Sequence, residues 1–178
     1  MNKINGKQSD FALMRTEGTQ IIIGYGLKKI TGTKLYEWYE VTIPKTQINQ
    51  LSLQDVKDAI INDIDARTDA KILNGYQFTP DGAEESITVW LSKESQTNFS
   101  EAQRLQIIPV KFKLNETEDK QPIYHTFETV EELNRFYLGG VQYINQCLNE
   151  GWAEKDGIDW APYEALFPAP NEDVQAEE

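Results

Sequence analysis

Apolar residues recur along this chain with two periods, and those periods mark out three hairpins and three helices. From Thr19 to Ile43 the period is two. Ile21, Ile22 and Ile23 form a β-branched run, and Thr31-Gly32-Thr33 is a turn signal. In the following stretch Leu35, Tyr39, Val41 and Ile43 share one face, while Tyr36 and Trp38 share the other. This alternation predicts a hairpin, and Pro44 stops its second strand because proline cannot donate to a sheet ladder. The preceding residues, Met1 to Asp10, are polar and are expected to lie outside regular structure.

The period then changes. Leu53, Val56, Ile60 and Ile64 are spaced three, four and four, which predicts one stripe of a helix over residues 52–68. Ser52 is the candidate N-cap, with Asp55 three residues on. Asp55, Asp58, Asp63 and Asp65 fall at polar positions of the same helix. A calcium loop needs a short oxygen-rich loop with a glycine turn, so these aspartates are read as a solvated face. A second hairpin follows. Ile72, Leu73, Tyr76 and Phe78 lead into Pro80-Asp81-Gly82, and Ile87, Val89 and Leu91 alternate with Thr88 and Trp90. A short helix is predicted from about Lys93 to Gln106, carrying Phe99, Ala102 and Leu105 and ended by Pro109. Val110, Phe112 and Leu114, a charged turn at 115–121, and Pro122 to Phe127 make a third hairpin.

Thr129 to Glu150 carries the clearest helical pattern. Val130, Leu133, Tyr137, Val141, Ile144 and Leu148 repeat at three and four. Thr129 and Glu132 have the spacing of a capping box, and Gly151 stands where a C-cap glycine belongs. Gly139-Gly140 interrupts the middle. Each helical glycine costs roughly 1 kcal/mol against alanine, so a kink or the close approach of another backbone is expected there. Beyond the helix, Trp152, Ile158, Trp160, Tyr163, Leu166 and Phe167 form an aromatic segment without clear period. Such a segment either staples the tail to the core or meets a partner, since aromatic residues are enriched at interface hot spots. Residues 171–178 are acidic and expected to be disordered.

Antiparallel hairpins joined by helices give an α+β class, with the helices on one face and the long C-terminal helix followed by an extended aromatic tail. The expected division is an N-terminal hairpin region at 1–50, an α+β core at 51–150, and the tail at 151–178. At 178 residues the chain is long enough to bury a core without staples. Its 39% hydrophobic and 11% aromatic content argue against wholesale disorder.

Charge and chemistry narrow the function classes. With 29 acidic against 17 basic residues the net charge is -12, which disfavours nucleic acid and anionic membrane as partners. No apolar run approaches a membrane span. Met1 to Asp10 lacks an apolar signal core, so the expectation is a chain folded in a reducing compartment and not exported by a cleaved signal. Cys147 is the single cysteine and His125 the single histidine. They cannot build a His/Cys zinc site, and Cys147 falls beside an apolar stripe, where a free cysteine acts as a small hydrophobe. Gly24-Tyr25-Gly26 lacks the third glycine and following helix of a nucleotide loop. No catalytic residue, cofactor or metal site is therefore expected.

The block from about Ile72 to Asn149 resembles a domain of unknown function found in tail-fibre-associated and other virion proteins of tailed bacteriophages and prophages. The residues that carry the resemblance are Ile72-Leu73-Asn74-Gly75-Tyr76-Gln77-Phe78, Val89-Trp90-Leu91-Ser92, Ser95-Gln96-Thr97-Asn98-Phe99 and Thr129-Val130-Glu131-Glu132-Leu133. The extension from Gly140 to Phe167 has no counterpart in that pattern. The resemblance implies a virion location, made in the host bacterial cytoplasm, and a structural or assembly role through contacts with other virion proteins or other copies of itself. The contact residues expected for such a role are Tyr36 and Trp38 in the first hairpin, and Trp152, Trp160, Tyr163 and Phe167 in the tail. Two rival expectations are an acidic modulator that occupies the basic groove of a host protein, and a hydrolase with paired carboxylates.

Overall fold

Five consecutive residues of one strand, Ile21 to Tyr25, are buried. A stretch of strand in which consecutive residues are all buried must be covered on both faces, and the computed structural model shows how. It describes residues 2–44 and 51–167, and these divide into two compact units, one within 2–65 and 154–167 and the other 66–153. The expected boundaries at 50 and 150 differ from these, because the division falls inside two long helices. The acidic end at 171–178 lies outside the described residues.

The first unit holds a four-stranded antiparallel sheet in the order β1-β4-β3-β2, formed by β1 (Asn2–Gly6), β2 (Met14–Glu17), β3 (Gln20–Lys29) and β4 (Tyr36–Pro44). Ile21, Ile23, Tyr25 and Ile43 pack with Val56, Ile60 and Ile64 from the start of α1 (Leu53–Asn74). The opposite face carries Ile22 and Trp38. Residues 1–10 correct the expectation of irregular structure: β1 pairs with β4, Ile4 opposite Trp38, and a single 3-10 turn follows at Gln8–Asp10. The cause is the apolar face itself. Phe11 meets the Trp38 ring edge-on at 6.0 Å. Gly6 and Gly24 let the N-terminal segment lie close, since a Cβ on Gly24 would stand 2.4 Å from the Ala12 carbonyl. Leu35 precedes β4 and is exposed rather than sharing the face of Tyr39.

The second unit contains β5 (Tyr76–Phe78) paired with β6 (Ile87–Val89), α2 (Lys93–Leu105), β7 (Val110–Glu116) paired with β8 (Pro122–Phe127), and most of α3 (Val130–Asp156). The Trp90 amide donates to the Leu114 carbonyl at 2.9 Å, and the Asn115 amide group donates to the Thr88 carbonyl, so the hairpins join edge to edge. Phe78, Phe99, Phe127 and Phe136 form an aromatic core with centroids 4.7–5.9 Å apart. The fold is α+β, with antiparallel sheets and the long helix α3.

Helix ends correct the sequence reading twice. The helix expected to stop at residue 68 runs on to Asn74, because nothing breaks it before Gly75. That glycine takes φ +84° directly against β6, where a Cβ would lie 1.8 Å from the Val89 carbonyl oxygen. The helix expected to end at Gly151 continues to Asp156. Gly151 is a buried packing position, and a Cβ there would stand 2.4 Å from Thr68 Oγ1 of α1. The tail is consequently helical rather than extended, with Ala161–Glu164 forming a short α4 that carries Pro162 in its first turn.

Candidate functional site

The Gly139-Gly140 pair sits where an aromatic ring crosses α3. A Cβ on Gly139 would press within 3.0 Å of the Tyr76 ring. The ring is fixed by its hydroxyl, which donates to the Phe136 carbonyl. Burial holds the Tyr76 phenol well above its ordinary range, so it stays neutral and remains a donor. The expected close approach is therefore real, but it is made by a side chain and not by a backbone.

Beside Tyr76, α2 and α3 stand apart and leave a cavity of about 380 Å³. Tyr76, Leu91, Phe99 and Phe136 line its floor, and Gly140, Val141 and Ile144 form one wall. The other wall is the face of α2 that carries Lys93, Gln96, Thr97 and Ser100. Spacings of three, four and seven put these four on one side of a helix. The α2 helix begins cleanly, with the Ser92 hydroxyl accepting from the Ser95 amide at 3.1 Å. A second cavity of about 230 Å³ shares Leu91, Lys93, Gln96 and Ile144 and extends toward Asp69 and Leu73 at the end of α1. Within this frame Thr97 donates to the Lys93 carbonyl and Gln96 donates to the Leu91 carbonyl. The Lys93 ammonium and the Ser100 hydroxyl have no partner among the described residues.

A buried carboxylate lies elsewhere in the same unit. Glu132 is 4% exposed. Its Oε1 accepts from the Asp81 amide at 2.8 Å and lies 3.0 Å from His125 Nε2. The Thr129 hydroxyl accepts from the Glu132 amide at 3.2 Å, so half of the expected capping box forms. The other half does not, because the carboxylate turns to a loop and a strand. Arg135 completes the arrangement with an ion pair to Asp81 at 2.7 Å and a position over the Phe78 ring. His125 and Cys147 thus have different partners. Cys147 is in the core, and the nearby Tyr143 hydroxyl donates to the Lys71 carbonyl at 3.0 Å. The aspartates of α1 also diverge: Asp55 caps Ser52, Asp58 accepts from Gln54, Asp63 accepts from the Tyr25 hydroxyl, and Asp65 pairs with Lys155. Asp63, half-buried, is the one that departs from a solvated face. No group of three or more His, Cys, Asp or Glu among the described residues is placed to hold a metal ion. No helix among them is long and apolar enough to cross a membrane.

The six residues expected to meet a partner fall into three situations. Trp38 and Tyr163 are buried, at 2% and 4% exposure. Trp38 donates from Nε1 to Glu40 at 3.0 Å, and the Tyr163 hydroxyl donates to the Gly24 carbonyl at 2.7 Å. These two are core residues, each with its polar atom satisfied, and they are withdrawn as contact residues. Tyr36, Trp160 and Phe167 are half-buried. Trp160 and Phe167 pack on the sheet unit with Tyr163, and Lys57 lies 5.4 Å over the Trp160 ring. Trp152 alone of the six is more than half exposed, at 56%. Sequence reasoning did not find the α2–α3 cavity. Its one visible signal is the glycine pair, whose place in the helix suggests a kink or a backbone contact.

Comparison with known proteins finds no matching family model, no similar curated protein and no similar solved structure.

Proposed function

We propose that this protein is a structural or assembly component of a bacteriophage virion, acting by protein–protein contact at a fibre, the baseplate or a head or tail accessory position. The observation that carries the contact reading is Trp152. Its indole stands on a regular turn of α3 and is 56% exposed. Tryptophan is costly to leave in water and is the residue type most enriched at interface hot spots. The virion reading is supported by the block at about 72–149 that resembles the phage domain, which falls entirely inside the compact unit at 66–153.

Peptide mass spectrometry on purified particles, with copy number measured against the major capsid protein, tests the proposal. A stoichiometric copy number is the expected result. Abundance in infected-cell lysate with absence from particles would sink the structural role and favour the acidic modulator of a host protein.

A further inference from the structure

The α2–α3 cavity has a composition that selects a ligand, and the selection does not depend on the virion reading. Its floor is aromatic and aliphatic, with Tyr76, Leu91, Phe99 and Phe136. One side of its rim carries an ammonium and a hydroxyl, Lys93 and Ser100, that have no partner among the described residues. They are seven residues apart on α2 and so lie on the same face, two turns apart. An unengaged cation beside an apolar floor suits an anionic head group on an apolar body. No acidic residue lines this cavity; Asp69 lines the adjoining one, which Lys93 also lines.

The glycine pair supplies an independent observation. Gly139 is required, because the Tyr76 ring leaves no comfortable room for a Cβ. Gly140 is different. A Cβ there would meet Tyr76 at 3.4 Å and Leu91 at 3.8 Å, which is ordinary contact. Alanine would fit and would favour the helix by roughly 1 kcal/mol. What glycine keeps at that position is open space in the cavity wall. The cavity volume, 380 Å³, falls in the range of small-molecule sites, roughly 300 to 1,000 Å³.

We infer that the α2–α3 cavity binds a small amphipathic monocarboxylate, with its apolar body on Tyr76, Leu91, Phe99 and Phe136 and its carboxylate at Lys93. The apolar body removes the floor from water, and the head group accepts a charge-assisted hydrogen bond from the Lys93 ammonium.

The test is calorimetric titration of the full-length protein with octanoate and, separately, with octylamine, which has the same chain and the opposite charge. Saturable octanoate binding, weaker octylamine binding, and amide chemical-shift changes at Ser100, Gly140 and Val141 are expected. Lys93→Glu changes an exposed side chain and leaves the fold intact. It should weaken octanoate by about tenfold or more, the loss of one charge-assisted contact, while octylamine binding holds or improves. Val141→Trp should fill the cavity and remove both. Should that variant unfold, the Lys93→Glu charge reversal still decides the matter. No saturable binding of octanoate overturns the inference, and so does binding that is indifferent to the charge at residue 93. Neither result bears on whether the protein is found in particles.

Discussion

Thr68 of α1 and Gly151 of α3 meet so closely that a Cβ on Gly151 would lie 2.4 Å from the threonine hydroxyl oxygen. The threonine Cγ2 and Cβ would also lie at 3.3 and 3.4 Å, so rotating the side chain about χ1 does not clear the space. Gly151→Ala should therefore destabilise the protein by about 1–3 kcal/mol, the usual range for overpacking, even though alanine is the better helix former. Thr68→Ala combined with Gly151→Ala should recover most of that loss. Urea denaturation of the two single variants and the double variant measures the coupling. Additive effects would mean that the two residues do not share the space.

Glu132 connects a loop, a strand and a helix through one carboxylate. Glu132→Ala would leave the Asp81 amide without its side-chain acceptor and remove the partner of His125, at a cost of about 1–3 kcal/mol. Glu132→Gln retains a carbonyl oxygen and should cost less than half as much. Hydrogen exchange at the Asp81 amide should accelerate in the alanine variant and change little in the glutamine variant. Equal exchange in the two would show that the loop is held by the Arg135–Asp81 pair instead.

The pair between Arg15 and Glu40 gives the acid limb of stability a specific origin. Arg15 donates two hydrogen bonds to Glu40, at 2.7 and 2.9 Å. Those bonds are the main reason the Glu40 carboxyl is held below its ordinary value of 4.5; burial works against the shift, and the Trp38 indole N–H adds to it. A carboxyl with a depressed folded-state value contributes stability that is complete above the unfolded value. The contribution is lost as pH falls through the lower folded value. Glu40→Gln should thus be less stable than the parent at pH 7, and the gap should close as the pH drops below about 4.5 and onward through the folded value. Unfolding midpoints across that range would show it. A gap that stays constant would remove Glu40 from the acid transition.

Trp152 and Trp38 should respond in opposite ways to the same substitution. Trp152→Ala removes an exposed ring and should change stability by no more than about 0.5 kcal/mol, yet reduce incorporation into particles. Trp38→Ala should cost about 3–5 kcal/mol, because it empties a packed site against Phe11 and Gly6. Thermal melts and particle incorporation, measured side by side, separate the two roles. Point substitution is the sharper tool here. Truncation before Gly151 would also remove Tyr163, whose hydroxyl bonds to Gly24 in the core of the sheet unit.

Much of the fold was legible along the chain. The alternation in 20–29 and 36–44, the stripe from Leu53 to Ile64, and the repeat from Val130 to Leu148 each became the element their period implied. These signals are local, and backbone geometry converts them directly into faces. The candidate site was far less legible. Lys93 and Ser100 are ordinary helix-surface residues until α3 is placed opposite them, and a cavity has no period.

The sequence by itself determined the central strands and helices and the α+β class, because those follow from spacing and from the limits on φ and ψ. Only the tertiary structure decided what covers each face. It put Trp38 under the N-terminal segment and left Trp152 in the open, though both are tryptophans in regular elements. It turned Gly151 from a helix end into a contact, and Glu132 from a cap into a buried tie. Each outcome depends on a partner from a distant part of the chain, and burial and hydrogen bonding are properties of that pairing rather than of either residue alone.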